Sequence, residues 1–589
     1  MRVRWVSVVV GVWLVLMLSQ AAPRNTGDSS EYLGMAMQFA AGRPPSFTEG
    51  ELRGMRTASG MPEAGFELET RRFQEIRGAD GRYEMPHMWV YSLLATPAVW
   101  GARLLRAAPV WGLVATNVAL LAGLLALIVW RGGRAWAFAV VVTPLVWWVD
   151  KPLAEVMMAC GLGAAALLFP THGGAALVVL GLLAAQNPAL LVACVVFGVL
   201  AFVQNPRRLH DWRWMTAAAI GALFAAVAPT YYLWRLGRLS PLTSYAEAAL
   251  PSASALLYPL IDVNMGLFVR FPPALLLVLV PLARRDGWRM SAAWPCALTA
   301  TALLLVCSQQ PNMNQGGNPD LSRYAMWLLP LMLPWLLSLD AASVAQRAAG
   351  IAVLVLCAAW TTVAFPLTRP ESYRYPTALA TWLWTQHPMW ARPRPETFAE
   401  RTSHREPAVV PSATSTCEKV LLYEGRWPAA CPPSYAEVPE RCSAPGMFCY
   451  ANRYGHGMHL VQPFGTVSGY RPESHDRTWR AGDETAAWVA GFVRNMASGS
   501  PPDTRLSIRA VSQVAWTHTW WSGARGRLVI YARGVGSGAR IVFRHAAPAT
   551  VVVRVPGESE PASRTTANEG LTVVAIPSRS HVVVDVFVD

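Results

Sequence analysis

The chain has 589 residues, of which 53% are hydrophobic and 15% charged, well below the ~25% charge of soluble proteins. With 26 tryptophans and a mean hydropathy of +0.28, this excludes a disordered chain, a collagen and an ordinary cytosolic enzyme. The net charge of +14 would point to nucleic acid in a soluble protein, but many of these arginines sit in short loops between apolar runs, where they set membrane orientation, so no nucleic-acid partner is expected.

Apolar runs fill residues 4–365 and predict eleven membrane spans, near 4–22, 110–130, 135–149, 153–169, 175–188, 189–203, 215–234, 267–283, 291–308, 325–339 and 347–365. Several are shorter than the ~20 residues a straight span needs. The first run lacks a clear Ala-x-Ala cleavage site and is expected to stay as a span. Asn187-Pro188 is the turn between two spans that touch.

The stretch "MWVYSLLATPAVWGARLL" at 88–105 is also apolar, and parity decides where it lies. Arg2 and Arg4 place the N-terminus inside. If 88–105 does not cross, "RGGR" (131–134), "PRRLHDWR" (206–213) and "RRDGWR" (284–289) all face the cytoplasm. If it crosses, all three move outside. The positive-inside rule therefore predicts a juxtamembrane or re-entrant helix on the outer face. Residues 23–109, 150–155 with their flanks, 235–266, 309–324 and everything after 365 are then outside.

Within 366–450, "YRYPTALATWLWTQHP" reads as a helix near the interface, with Trp382 and Trp384 at its surface. From about residue 505 the pattern alternates with period two. "ARIVFRH", "TVVVRVPG" and "HVVVDVFVD" predict a β-sandwich or jelly roll within 451–589, either lectin-like or purely structural. Cys160, Cys194, Cys296, Cys307 and Cys357 lie in or beside apolar runs, as small hydrophobes do. Cys417, Cys431, Cys442 and Cys449 cluster in the outer tail, where an oxidising compartment implies two disulfides of undetermined pairing.

Charged groups at the outer mouths of spans are costly, and those kept there are functional candidates. "GDSSEYLGMAMQFAAG" at 27–42 puts Asp28 just before a helical pattern, where it either caps the helix or serves as a general base. "MPHMWVYSLLATP" at 85–97 carries His87, which from the residues alone reads as an interfacial histidine beside Trp89. "TPLVWWVDKPLAEVMM" at 143–158 carries Asp150 and Glu155. Five positions apart, they do not share a helical face, and Asp150 has Lys151 as a local partner. "NMNQGGNPDLSRYAMWLLP" at 312–330 sets Arg323 and Tyr324 at a span mouth. There the guanidinium either snorkels to headgroups or holds a phosphate diester through two parallel bonds. Asp262, Asn264 and Arg270 in "IDVNMGLFVRFP" form a weaker set able to pair among themselves.

Taken in order, these segments resemble the GT-C glycosyltransferases, such as protein O-mannosyltransferases and lipid A aminoarabinose transferases, over roughly residues 1–365. Asp28, Tyr32 and Gly42 are similar to that family's first outer loop. "MPHMWVYSLLATP" is similar to the segment ending that loop, and Glu155 is preferred over Asp150 as the acidic residue of the second loop. The family often has a second carboxylate directly after the aspartate. Ser29 stands there, with Glu31 the nearest carboxylate, so a divalent metal is left open and no cofactor is assigned.

The resemblance implies a mainly α polytopic protein of the bacterial cytoplasmic membrane with a C-terminal extracytoplasmic β-rich domain. It also implies transfer of a sugar from a polyprenyl-phosphate-linked donor to a hydroxyl on a glycan, lipid or protein. In that reading Asp28 is the base, and Glu31, Tyr32, His87, Asp150, Glu155, Arg323 and Tyr324 bind substrate. The absence of a Gly-x-x-x-x-Gly-Lys-Ser/Thr motif agrees with a lipid-linked donor. A lipid or glycan flippase, or a glycan-binding scaffold without activity, is the alternative.

Overall fold

The computed structural model describes residues 2–23, 28–52, 76–78, 80–241, 253–308, 321–367 and 377–386, and beyond these the strands given below with Arg426 and Pro561. The chain divides into two compact units. One comprises Met1–Met61, Glu69–Gln310 and Gln315–Ser372; the other comprises Pro62–Leu68, Pro311–Asn314 and Tyr373–Asp589.

The first unit is helical. Its helices are α1 (Arg2–Leu18), α2 (Ser29–Ala40), α3 (Val90–Leu104), α4 (Val110–Trp130), α5 (Ala135–Ala139), α6 (Glu155–Gln186), α7 (Leu191–Gln204) and α8 (Trp212–Leu236). They continue as α9 (Ala253–Ile261), α10 (Leu267–Arg270), α11 (Pro273–Leu282), α12 (Ala293–Cys307), α13 (Arg323–Met326), α14 (Leu328–Leu331), α15 (Leu333–Asp340) and α16 (Val344–Ala364). Four of these, α4, α6, α8 and α16, are long and apolar enough to cross a membrane.

Three apolar runs depart from simple rods, each for a local reason. Residues 135–149 are not one helix: α5 stops after five residues. A run of Val140, Val141, Val142 and Thr143 loses side-chain freedom in a helix, and Pro144 disfavours helical geometry in the residue before it. The run at 325–339 is broken into α13, α14 and α15 at Trp327 and Met332, shortly before Pro330 and Pro334, whose nitrogens cannot donate back along a helix. In α6, His172 leaves the helical region at φ −130°, two residues after Pro170. A Cβ on Gly161 would touch the Leu183 side chain, although in a straight helix the two would lie about 33 Å apart. The chain therefore reverses at His172, and α6 is a hairpin of two antiparallel helices.

Helix α3 packs closely on the start of α4. The Tyr91 hydroxyl donates to Asn117 Oδ1 at 2.9 Å, and a Cβ on Gly112 would lie 2.4 Å from the Val99 backbone nitrogen. The second half of α6 packs backbone to backbone on α8: a Cβ on Gly181 would lie 2.1 Å from Gly221 O. Small residues permit this closeness where no water-driven force holds apolar helices together.

The helices share two ends. At one, Arg131 donates to Thr171 Oγ1 (2.9 Å), Arg208 lies over Phe169 and Trp214, Gln204 donates to Ser291 O (2.9 Å), and Arg284 donates to Gln346 Oε1 (3.2 Å). The Asp340 carboxylate accepts the backbone amides of Arg134 (2.7 Å), Trp136 and Ala137 (both 3.1 Å), supplying the cap that α5 lacks from its own sequence. The three basic loops therefore sit together at this end. The other end carries residues 28–32, 84–92, 155, 186, 231–235 and 323–327, joined as described below.

The second unit contains a helix, α17 (Ala378–Gln386), whose first turn is capped by Thr377 Oγ1 accepting from the Ala380 amide at 3.0 Å. Its strands form antiparallel ladders. β1 (Lys419–Tyr423), β2 (Phe448–Asn452) and β3 (Met458–Gln462) pair in that order. The remaining strands are β4 (His475–Thr478), β5 (Leu506–Val511), β6 (Trp516–Ser522), β7 (Arg525–Tyr531), β8 (Arg540–His545), β9 (Ala549–Arg554), β10 (Ser563–Ala567), β11 (Gly570–Ala575) and β12 (His581–Val588). They form a six-stranded sheet, β10-β9-β12-β7-β6-β4, and a three-stranded one, β11-β8-β5. The alternating runs at 539–545, 550–557 and 581–589 supply β8, β9 and β12. Cys417, Cys431 and Cys442, and the Cys449 side chain, lie outside the described residues.

Candidate active site

Helix α2 begins at Ser29 directly after Asp28 and is almost wholly buried. The Asp28 carbonyl accepts from the amides of Glu31 (3.1 Å) and Tyr32 (3.4 Å), whereas its carboxylate makes no capping hydrogen bond. Glu31 lies in the first turn, where the helix's free amides favour a negative charge. The helix stops at Gly42, which has φ +69°; the Arg43 amide reaches back to Gln38 O at 2.9 Å, a Schellman ending that suits glycine.

His87 precedes α3 and is fixed through its neighbours. The Tyr232 hydroxyl donates to Met85 O (3.2 Å) and Pro86 O (3.3 Å). The Gln186 side chain donates to Met88 O (2.8 Å) and accepts the Tyr91 amide (2.6 Å). Ser92 Oγ donates to Tyr32 O at 2.9 Å, locking α3 to α2.

The imidazole stands between two carboxylates. Nδ1 is 3.0 Å from Glu31 Oε2, and Nε2 is 3.4 Å from Asp28 Oδ2. Burial opposes a charge on this ring, but Asp28 and then Glu31 outweigh it and raise the His87 pKa to about 9, so the imidazole is a cation at neutral pH. Arg323, at the start of α13, brings Nη1 to 3.6 Å from the same Asp28 oxygen and 3.3 Å from Glu155 Oε1. The other Glu155 oxygen accepts the Trp327 indole N–H at 2.9 Å. The Tyr32 ring lies 5.8 Å from His87, and burial, followed by Asp28 and Glu31, raises its pKa well above the usual value, keeping it a neutral donor. The Arg323 guanidinium lies over the Tyr324 ring at 5.3 Å.

Asp28, Glu31, Tyr32, His87, Glu155, Arg323 and Tyr324 thus come together from four places in the sequence. Asp150 takes a different position. It pairs with Lys151 at 2.9 Å in a fully buried couple, and the Lys151 ammonium lies 3.3 Å from the Trp147 ring centroid and donates to Trp147 O. Asp262 folds onto its own loop, accepting the amides of Asn264 (2.8 Å) and Met265 (3.0 Å).

Sequence reading missed Trp327, whose aromatic character was submerged in an apolar run. It also missed Glu84, a buried carboxylate that binds Arg235 Nε at 2.6 Å and the Tyr231 hydroxyl at 2.7 Å while Arg235 grips Asp80. An arginine closing the apolar run "YYLWRLG" was the available signal.

With all five groups ionised, three carboxylates meet two cations, and the cluster carries one net negative charge. Asp28, Glu31 and His87 each offer one ligand atom within 4.8 Å of the others, a spacing that fits a divalent cation once His87 is neutral. Chemically, the arrangement offers a carboxylate able to accept a proton beside a guanidinium able to hold an oxyanion. No family model, curated protein or solved structure matches the chain.

Proposed function

We propose that the chain is a membrane glycosyltransferase of the GT-C type, moving a sugar from a polyprenyl-phosphate-linked donor to a hydroxyl acceptor. The observation that carries this reading is the meeting of Asp28 and Arg323 at one end of an apolar helical body, 3.6 Å apart. The basic loops gathered at the opposite end support a cytoplasmic position for that end and an outer-face position for the cluster. A juxtamembrane position for residues 88–105 and the eleven-span count belong to the same proposal.

In this mechanism Asp28 takes the acceptor's proton as its oxygen attacks the sugar's anomeric carbon. The bond from that carbon to the phosphate oxygen breaks, and Arg323, with His87 in its charged form, stabilises the departing lipid phosphate. The Tyr32 phenol hydrogen-bonds a sugar hydroxyl in this reading.

Mass analysis of cell-envelope glycans from strains with and without the gene tests the proposal. A sugar missing from one glycan, lipid or protein species is the expected result. Identical glycans in both strains, together with no transfer by purified protein supplied with polyprenyl-phosphate sugars, would end it.

A further inference from the structure

We propose that Glu155 and Trp327 are positioning residues for Arg323, resting on the reading of Arg323 as the group that meets the donor's phosphate. The geometry is a relay of alternating donors and acceptors. Trp327, 1% exposed, gives its indole N–H to Glu155 Oε2 at 2.9 Å. Glu155 Oε1 then faces Arg323 Nη1 at 3.3 Å, and the same nitrogen faces Asp28 at 3.6 Å. Both contacts are longer than the ~2.7–2.9 Å of a strong charge-assisted bond. The guanidinium is therefore shared between two carboxylates, and an anion that approaches nearer would compete with both.

Trp327 maintains this sharing. Its indole occupies one Glu155 oxygen, so the carboxylate cannot turn both oxygens onto Arg323. A second route runs through the rings: Trp327 packs edge-on against Tyr324 at 4.9 Å, and Arg323 lies over that same tyrosine. Removing the indole N–H leaves Glu155 to seek a donor for its second oxygen. The nearest is Arg323, in the two-bond geometry that guanidinium and carboxylate favour. Arg323 would then be drawn off Asp28 and closed to phosphate.

The test is binding of a long-chain polyprenyl phosphate to the full-length protein in detergent, with Trp327→Phe, Glu155→Gln and the double variant. Trp327→Phe keeps one ring in place and removes the donor along with some buried volume. Affinity should fall about tenfold in Trp327→Phe, and the double variant should bind no worse than the weaker single, because the two act in series. In turnover, donor KM should rise while kcat and acceptor KM hold, a split that general loosening of the fold would not produce. Wild-type affinity in Trp327→Phe, or losses that multiply in the double variant, would overturn the assignment, as would a wild-type protein that does not bind polyprenyl phosphate. Should Trp327→Phe fail to fold, wild-type donor affinity in Glu155→Gln overturns it instead, and a tenfold loss there with kcat intact upholds it. A wild-type protein that binds polyprenyl phosphate but transfers no sugar would end the transferase reading and leave the positioning role standing.

Discussion

Asp28→Asn is nearly isosteric, so its consequences follow from charge and proton affinity alone. The carboxylate caps no helix amide, and the backbone carbonyl that receives Glu31 and Tyr32 is untouched, so α2 should keep its start. Two cations lose a partner, His87 at 3.4 Å and Arg323 at 3.6 Å, but each keeps a closer one: Glu31 at 3.0 Å for the imidazole and Glu155 at 3.3 Å for the guanidinium. The cluster goes from one net negative charge to neutral. Folding should therefore change little, and thermal melting in detergent should move by no more than a few degrees. Chemistry should change much more. An amide cannot take the acceptor's proton, and loss of a general base costs ~10²–10⁴ in rate, or ~3–5 kcal/mol of transition-state stabilisation. Donor binding should hold, since Glu155 and Trp327 still position Arg323. The expected signature is a collapse of kcat with donor KM unchanged, measured as transfer of a labelled sugar from a polyprenyl-phosphate donor. A variant with near wild-type kcat removes Asp28 as the base; one with intact kcat and a raised donor KM makes it a binding residue instead.

His87 predicts a pH dependence. Its folded pKa of about 9 lies above the ordinary 6.5, so its ionic contribution is complete below pH 6.5 and disappears as pH rises through about 9. Melting temperature and donor affinity should decline over that window, and His87→Gln should flatten both; a wild-type profile level from pH 6.5 to 10 would refute the paired imidazolium. Asp340→Ala strips three backbone amides of their acceptor and should cost ~3 kcal/mol or more in detergent unfolding, while Asp340→Asn, which keeps one acceptor oxygen, should cost less. Equal stability of the wild type and Asp340→Ala would show that water serves those amides as well. Gly181→Ala places a methyl 2.1 Å from Gly221 O and should sharply lower folded yield, whereas Gly198→Ala, whose nearest neighbour is a Leu177 methyl at 3.9 Å, should be tolerated. Matching yields for the two would argue against the backbone contact of α6 and α8.

Apolar runs are legible because burying backbone in hydrocarbon requires helix, and the helices lie where those runs do. Charged groups beside them are legible because they are costly: Asp28, His87, Glu155 and Arg323 stood out for that reason. Internal breaks were harder to see. Hydropathy is blind to the Val140–Thr143 run and to Pro144, Pro330 and Pro334, which leave a segment just as apolar while ending its helix. Partner identity was harder still. Glu155 and Asp150 are five residues apart and chemically alike, yet one turns to Arg323 and Trp327 and the other to Lys151. That choice depends on which residue opens α6, and the sequence offered only a preference. Trp327 was invisible because an indole in an apolar run advertises its ring and not its single N–H.

Asp340 also imposes a timetable. The amides it caps belong to Arg134, Trp136 and Ala137, and the Arg134 pairing spans 206 residues. At ~5–20 residues per second, a ribosome needs roughly 10–40 s to supply the carboxylate after those amides have emerged. Through that interval the start of α5, with its β-branched continuation and Pro144, has no partner of its own to complete it. Residues 131–149 are thus made early and finished late. Water or another partner must serve those amides until α15 arrives, and a chain stopped short of residue 340 would leave this segment, rather than its newest one, incomplete.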